Sequence, residues 1–308
     1  MSTQSSAVPQ SAIGSRAGIC REVSLARRMY WLLKRELWES RAIYVAPLVV
    51  AGVFLFGFVV SVNHVLRDIR ATAGATTLDM QGDMFMSRTY DMAALAMMAT
   101  TLIVAVFYCL DALHGERRDR SILFWKSLPV SDTAAVLSKV MVAIVLIPLV
   151  TWLITVALHL VMLVVSGAVL LASGQSLALL VHLGLGGRWV ALVYHLVVVH
   201  GLWYAPFFAW FLLVSVWARR APFLWAVLPP LAVGVLEKIL FNTSHFASLI
   251  SSRFNGSPHA TAHSAASTPF GLIVDVPGFS SPGLWIGLAI AAVFIFAAIR
   301  LRRHQGGI

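Results

Sequence analysis

Residues 111–139 read DALHGERRDRSILFWKSLPVSDTAAVLSK and lie between two long apolar runs. The stretch is densely charged, but its middle contains a compact hydrophobic patch made of Ile122, Leu123, Phe124, Trp125 and Leu128. A solvated connection between two apolar runs has no need of adjacent phenylalanine and tryptophan side chains, whereas aromatic anchors ringed by charges are typical of protein interfaces. We therefore expect these residues to form a docking element.

The composition on both sides of this stretch is that of a membrane protein. Hydrophobic residues make up 59% of the 308-residue chain and charged residues only 12%, whereas soluble domains carry about 25% charged residues. The two cysteines, Cys20 and Cys109, supply neither a disulfide framework nor a metal-binding spacing. The sequence therefore predicts an all-α protein that crosses the membrane several times.

Apolar runs of about 20 residues are long enough to cross roughly 30 Å of hydrocarbon. They predict six spans, at residues 44–62, 92–110, 140–167, 189–217, 222–241 and 283–299. The spans define a membrane domain over residues 44–303, with residues 168–188 as a connection at the outer face. Pro148 is expected to kink the third span.

The ends of the chain flank this domain with short polar segments. Residues 1–20 lack a continuous apolar core, so they are predicted to be a disordered tail rather than a signal peptide. Residues 304–308 form a second tail. Residues 21–43 place leucines at helical spacing among basic residues, which predicts an amphipathic helix at the membrane interface. The alternative is a solvated helix packed on another domain.

The basic residues divide unevenly between the two sides of this topology. Of the 23 Lys and Arg residues, those predicted on the outer side are Arg67, Arg70, Arg88, Arg188, Lys238 and Arg253. All others lie on the inner side, so the positive-inside rule places both termini in the cytoplasm. The net charge of +10 is thereby assigned to topology and lipid headgroups rather than to nucleic acid.

The charged stretch resembles the cytoplasmic segment of ABC-2-type transporter permeases. The shared features are a Glu/Arg cluster at 116–120, a short helix at 121–126, a turn at 127–131 and Lys139 at the start of the next span. Residues 32–47, LLKRELWESRAIYVAP, resemble the first helix and first span of the same family. The chain differs from the commoner pattern in having Arg120 and Ser121 where a Gly-Thr pair is often found.

This resemblance implies a permease subunit, most simply of an exporter in a bacterial inner membrane. Its coupling helix would dock on a separate ATPase subunit that binds ATP and Mg²⁺, and a second permease copy, identical or not, would complete the transporter. The predicted ATPase-coupling interface consists of Glu116, Arg117, Arg118, Arg120, Ile122, Leu123, Phe124, Trp125 and Leu128, with a smaller contact at Arg219 and Arg220.

The residues themselves support parts of this prediction. The chain has no GxxxxGK[ST] loop and none of the HExxH, GxSxG or paired CxxC motifs, so we expect it to bind no nucleotide, cofactor or metal and to catalyse nothing itself. Ser131 is placed to cap the helix that leads into the third span, and Asp132 suits the first turn of that helix. Ile122, Trp125 and Leu128 share one apolar edge. An amphipathic loop lying on the lipid surface would explain the same edge.

Ionisable residues inside the predicted spans are candidates for translocation or gating, namely His159, His195, His200, Glu237 and Lys238. An alternative function is a membrane redox subunit that binds haem or quinone through the three histidines. On an α-helix, a spacing of five residues places His195 and His200 about 140° apart, which is poor for a shared ligand. A third possibility is an assembly protein without transport activity.

Overall fold

The computed structural model describes residues 25–71, 78–119, 131–172, 180, 183–255 and 281–304. The helices in these ranges are α1 (Leu25–Glu39), α2 (Ala42–Ala71), α3 (Leu78–Asp111), α4 (His114–Arg118), α5 (Asp132–Met141), α6 (Ile147–Ala172), α7 (Leu185–His195), α8 (Ala205–Trp217), α9 (Pro222–Phe241), α10 (His245–Asn255) and α11 (Pro282–His304). Two π-helical segments, π1 (Val142–Leu146) and π2 (Leu196–Trp203), join α5 to α6 and follow α7.

Six helical segments of the described chain are long and apolar enough to cross a membrane. They are Ala42–Val62, Met86–Arg118, Asp132–Ala172, Leu185–Trp203, Pro222–Phe241 and Pro282–His304. The predicted fold class, an all-α protein with six spans, is therefore confirmed. The single span predicted at 189–217 is interrupted at Tyr204, where π2 ends and the shorter apolar helix α8 begins.

Helix α3 lies at the centre of the bundle. It packs against α2, α6, α8 and π1, and 61% of its membrane-spanning window is buried, compared with 6% for α9. Small residues such as Ala93, Ala94 and Ala105 allow this close approach. Thr101 satisfies its buried hydroxyl by donating to the Met97 carbonyl at 2.9 Å, as a hydroxyl inside a membrane helix must.

The two π-helical segments each precede a proline and contact each other. Pro148 and Pro206 lack the N–H that an α-helix directs to the carbonyl four residues earlier, and π1 and π2 end within three residues of them. The contact is close at Gly201, where a Cβ atom would lie 3.3 Å from the Ile144 side chain. Proline therefore produces a local change of helix type in two neighbouring spans.

The buried apolar residues form two main clusters along the bundle. One extends from the end where α1, α4, the start of α5 and the end of α11 meet, called the α1 end below, as far as Leu284 at the start of α11, and includes Tyr108, Val136, Phe208 and Ala298. The other, toward the opposite end, joins α2, α3, α6 and α7 through Phe58, Val62, Met86, Tyr90 and Met162. The α1 end also carries most of the buried charges.

Candidate functional site

Five charged residues from four helices meet at the α1 end and are called the charged junction here. They are Glu36 of α1, Glu116 of α4, Asp132 and Lys139 of α5, and Arg302 of α11. Four of them are almost completely buried, with exposures of 7% for Glu36, 8% for Glu116, 3% for Lys139 and 4% for Arg302. Burial of this many charges requires each one to have a partner.

The partners form a continuous chain. The Lys139 ammonium lies 2.9 Å from a Glu36 oxygen and 3.0 Å from a Glu116 oxygen. The other Glu116 oxygen accepts from Arg302 Nη1 at 2.8 Å, and Arg302 Nε donates to Asp132 at 3.2 Å. The Tyr108 hydroxyl of α3 donates to the second Glu36 oxygen at 2.9 Å. One network therefore links five helices.

Local sequence features position the side chains of the charged junction. Ser131 caps α5 by accepting a hydrogen bond from the Ala134 N–H at 3.2 Å, as predicted. This cap leaves Asp132 in the first turn of α5, within reach of Arg302. Lys139 follows two helical turns later, on the buried side of the same helix. A cavity of about 280 Å³, lined in part by Arg35 and Ser138, adjoins the network.

A second anchor fixes the turn between α3 and α4 to the end of α8. Arg117 Nη2 donates to the carbonyls of Ser215 and Ala218 at 2.6 and 2.7 Å. The Ser215 hydroxyl accepts from the N–H groups of Leu113 and His114 at 3.0 and 2.8 Å. A cation placed against the last carbonyls of a helix also complements the helix dipole.

The charged junction and this anchor hold both flanks of residues 120–130. Glu116 and Arg117 precede that segment, and Asp132 and Lys139 follow it. The predicted coupling helix and its residues Arg120, Ile122, Leu123, Phe124, Trp125 and Leu128 lie outside the described residues. So do the predicted tail at 1–20 and residues 305–308 of the second tail.

The predicted interface residues that the structure describes fall into two groups. Glu116 is buried in the charged junction, and Arg117 is half-buried against α8. Arg118, Arg219 and Arg220 are exposed at the α1 end. Only these last three could contact a partner through their charged groups without rearrangement of the junction or of the Arg117 anchor.

His159 is held by hydrogen bonds at both ring nitrogens. Its Nδ1 accepts from Trp189 Nε1 at 3.2 Å. The ring proton must therefore reside on Nε2, which lies 3.2 Å from the Tyr90 carbonyl and donates to it. This arrangement fastens α6 to α3 and α7.

His195 and His200 lie closer together than an α-helix would place them. Their ring centroids are 6.1 Å apart. The residues after His195, up to and including His200, belong to π2, and a π-helix contains more residues per turn than an α-helix. His200 Nε2 lies 3.2 Å from the Met98 carbonyl. His195 Nε2 and His200 Nδ1 are buried and have no hydrogen-bond partner within the described part of the chain. The predicted separation of about 140°, which assumed a regular α-helix, was therefore wrong for this pair.

Glu237 connects α9 to α10. Its carboxylate accepts from the Thr243 hydroxyl at 2.9 Å and from the His245 and Phe246 N–H groups at 2.7 and 2.8 Å. It therefore satisfies donors at the start of α10 that the helix itself leaves unpaired. Lys238, the next residue, is exposed.

Two arginines stabilise the opposite half of the bundle. Arg188 donates to the Leu183 carbonyl at 2.8 Å and pairs with Asp91 and Ser87 of α3. Arg253 of α10 donates to the carbonyls of Trp203 and Gly283 at 3.0 and 2.5 Å. Partial burial lowers the pKa of Arg253, but a guanidinium remains charged in a protein.

Sequence reasoning did not assemble the charged junction. Asp132 was predicted in the first turn of a helix and Lys139 at the start of a span, but neither was given a partner, and Glu36 and Tyr108 were not singled out. The sequence feature that could have indicated the junction is Glu36. It lies three residues after Leu33 and one before Leu37, on the apolar face of α1. A carboxylate on such a face requires a buried partner.

Six apolar helices identify a multi-pass membrane protein. Within the described ranges, no group of three or more His, Cys, Asp or Glu residues could hold a metal ion. Comparison of the chain with protein-family models, with curated proteins and with solved structures gave no match.

Proposed function

We propose that this chain is the permease subunit of an ATP-driven transporter of the ABC-2 type, and that a separate ATPase subunit moves it. The observation that carries the proposal is the placement of the charged junction around residues 120–130. Both flanks of that segment are joined by buried ion pairs to helices α1, α5 and α11. The chemical step, hydrolysis of ATP with Mg²⁺, belongs to the partner subunit.

The junction provides a physical route for the movement. Glu116 and Lys139 lie on opposite sides of residues 120–130 and pair directly with each other. Displacing one without the other would break a buried ion pair and leave Glu116 with Arg302, and Lys139 with Glu36, as remaining partners. Loss of a partner from a buried ion pair is destabilising. A force applied to the segment is therefore transmitted to α5 and, through Arg302, to α11.

The contact between π1 and π2 offers the third and fourth spans a place to bend. These segments interrupt regular α-helical hydrogen bonding at the same level of the two spans, and π turns and prolines are the usual sites of sharp helix bends. The proposed export cycle is a change in the tilt of these spans that follows movement of the coupling helix.

The charge distribution supports a cytoplasmic location for the α1 end. Exposed basic residues there include Arg41, Arg118, Arg219, Arg220 and Arg303, and basic residues accumulate on the cytoplasmic side of membrane proteins. In the proposal, both termini lie in the cytoplasm of a bacterial cell whose inner membrane holds the protein. A second permease copy completes the transporter.

The deciding experiment is co-purification of the full-length chain from membranes of its own host. We expect a protein with a phosphate-binding loop to co-purify, and the complex, but not the chain alone, to hydrolyse ATP. Trp125→Asp should abolish co-purification, since it removes the central aromatic anchor of the predicted coupling helix. Trp38→Asp is the matched control, because Trp38 is a 73% exposed tryptophan at the α1 end.

Several outcomes would contradict the proposal. ATP hydrolysis by the purified chain alone would show that hydrolysis does not belong to a separate subunit. Equal co-purification of wild type and Trp125→Asp would remove the coupling helix from the interface. A Soret band in the absorption spectrum of the purified protein would instead favour the redox subunit, for which His195 and His200 have unpartnered ring nitrogens within the described chain.

A further inference from the structure

A large groove opens at the α1 end between the start of α2, the end of α3 and the start of α9. Its volume is about 860 Å³. One wall is apolar and includes Ile103, Phe107 and Phe223, which are 56%, 62% and 55% exposed. The rim is polar and includes charged residues of α1, α3 and α4. The groove is therefore amphipathic across its short dimension.

Most charges around this groove are already paired. Glu39 pairs with Arg35 at 2.8 Å, and Arg118 pairs with Asp119 at 3.2 Å. Glu36, Glu116 and Lys139 at its base belong to the charged junction.

Two exposed charges of the lining remain, Arg41 and Asp111, and neither forms an ion pair within the described part of the chain. Among the described residues, the groove thus offers one cation and one anion that form no ion pair, although the charge of Asp111 also acts on Arg118.

The backbone holds both charges at the rim. Arg41 lies in the turn between α1 and α2, where its carbonyl accepts from the Val45 N–H at 3.0 Å. Asp111 ends α3, and its carboxylate lies beside Gly115, where a Cβ atom would be 3.4 Å from Oδ2, an ordinary van der Waals contact.

We propose that this groove binds a phospholipid with a phosphoethanolamine headgroup, from the leaflet that contacts the α1 end. Arg41 binds the phosphate and Asp111 accepts from the ammonium group, both through charge-assisted hydrogen bonds. The acyl chains follow the apolar wall toward the bilayer, along the exposed residues Leu48 and Val49 of α2. This site does not depend on the proposed transport function.

The charges distinguish this headgroup from other common ones. A phosphoglycerol headgroup carries the phosphate but no cation for Asp111, whose negative charge would then repel the lipid. A phosphocholine headgroup carries a quaternary ammonium that cannot donate a hydrogen bond to a carboxylate. Only a primary ammonium satisfies Asp111 while the phosphate satisfies Arg41.

The test is lipid retention by the full-length protein. The protein is reconstituted in nanodiscs with equal amounts of phosphatidylethanolamine, phosphatidylcholine and phosphatidylglycerol. It is then released from the nanodiscs under conditions that retain bound lipid and analysed by native mass spectrometry. Wild type should retain phosphatidylethanolamine about ten-fold over the other two, as expected for a charge-assisted hydrogen bond. Arg41→Gln and Asp111→Asn should each lose most of this preference.

Arg220→Gln is the matched control, because Arg220 is an exposed arginine at the same end that does not line the groove. It should keep the wild-type preference, and all variants should melt at the same temperature in lipid-free detergent. Equal retention of the three lipids by wild type, or an unchanged preference in both groove variants, would overturn the proposal. So would a cross-link between two copies through Phe107→Cys in the same nanodiscs, since a second copy would then occupy the groove.

Discussion

Lys139 shows how much one buried charge contributes in this protein. Its ammonium pairs with Glu36 and Glu116, which come from segments of the chain on either side of α2 and α3. A lone buried ammonium would be strongly unfavourable, and so would either carboxylate without it. Burying such a network adds little net stability compared with an apolar core, but it makes any arrangement with a missing partner costly. The network therefore specifies one packing of the helices.

Replacement of Lys139 by methionine should destabilise the protein by about 3–5 kcal/mol, because two buried carboxylates lose their shared partner. The measurement is chemical unfolding in detergent. Glu39→Gln is the control, since it breaks an exposed pair with Arg35 and should cost no more than about 1 kcal/mol. Adding Glu36→Gln to Lys139→Met should restore part of the loss. Equal losses for Lys139→Met and Glu39→Gln would contradict the role of the junction.

At the scale of helices, the π-helical segments and helix α10 connect neighbouring spans. π1 and π2 each lie just before a proline and pack against each other through Gly201. Helix α10 is attached to α9 by the Glu237 carboxylate and to π2 and α11 by Arg253. These contacts determine how closely neighbouring spans approach each other.

Gly201→Ala should lower the melting temperature, because the added methyl group would lie 3.3 Å from the Ile144 side chain and overpacking typically costs about 1–3 kcal/mol. Gly52→Ala is the matched control, since no atom lies within 4 Å of a Cβ at that position of α2. Alanine there should be neutral or stabilising, because it favours the helix over glycine. If both substitutions changed the melting temperature equally, the π1–π2 contact would be able to accommodate the added methyl group.

Glu237→Ala should loosen the start of α10, because three donors lose their acceptor. Hydrogen exchange at the His245 and Phe246 amides should become faster, whereas Lys238→Ala, which alters the exposed neighbour, should leave it unchanged. Glu237→Gln separates capping from translocation in part, since the amide oxygen can still accept from Thr243 and His245, whereas the amide NH2 cannot accept from the Phe246 N–H. If transport by Glu237→Gln equals that of wild type, a gating role for the carboxylate charge is removed.

For the whole molecule, the proposed motion depends on the charged junction remaining intact. Helix α11 contacts α5 and α8, and its Arg302 joins the end of the last span to both flanks of residues 120–130. In the proposal, a change at that segment reaches the last span through the Arg302 ion pairs, together with the packing of α11 against α5.

In the proposed transporter, Arg302→Gln should uncouple movement of α11 from the ATPase subunit without preventing assembly of the two subunits. In the wild-type complex, ATP with vanadate should change the hydrogen exchange of α11, and this change should be lost or strongly reduced in the variant. Arg303→Gln is the control, because Arg303 is exposed and its hydrogen bond within the described residues is a 3.3 Å contact with Thr133. A wild-type response in Arg302→Gln would show that movement reaches α11 by another route.

The all-α class, the six spans and the Ser131 cap followed from the sequence because each depends on local properties. Hydrophobic length reports a membrane span, and a serine before a helix reports a cap, without knowledge of any distant residue. The charged junction, the closeness of His195 and His200, and the groove with Arg41 and Asp111 could not be predicted in this way. Lys139 and Glu36 are 103 positions apart, and Arg302 and Glu116 are 186 apart. Which buried charges meet is decided by helix packing, because every charge in a nonpolar interior needs a partner but its identity depends on which helices become neighbours.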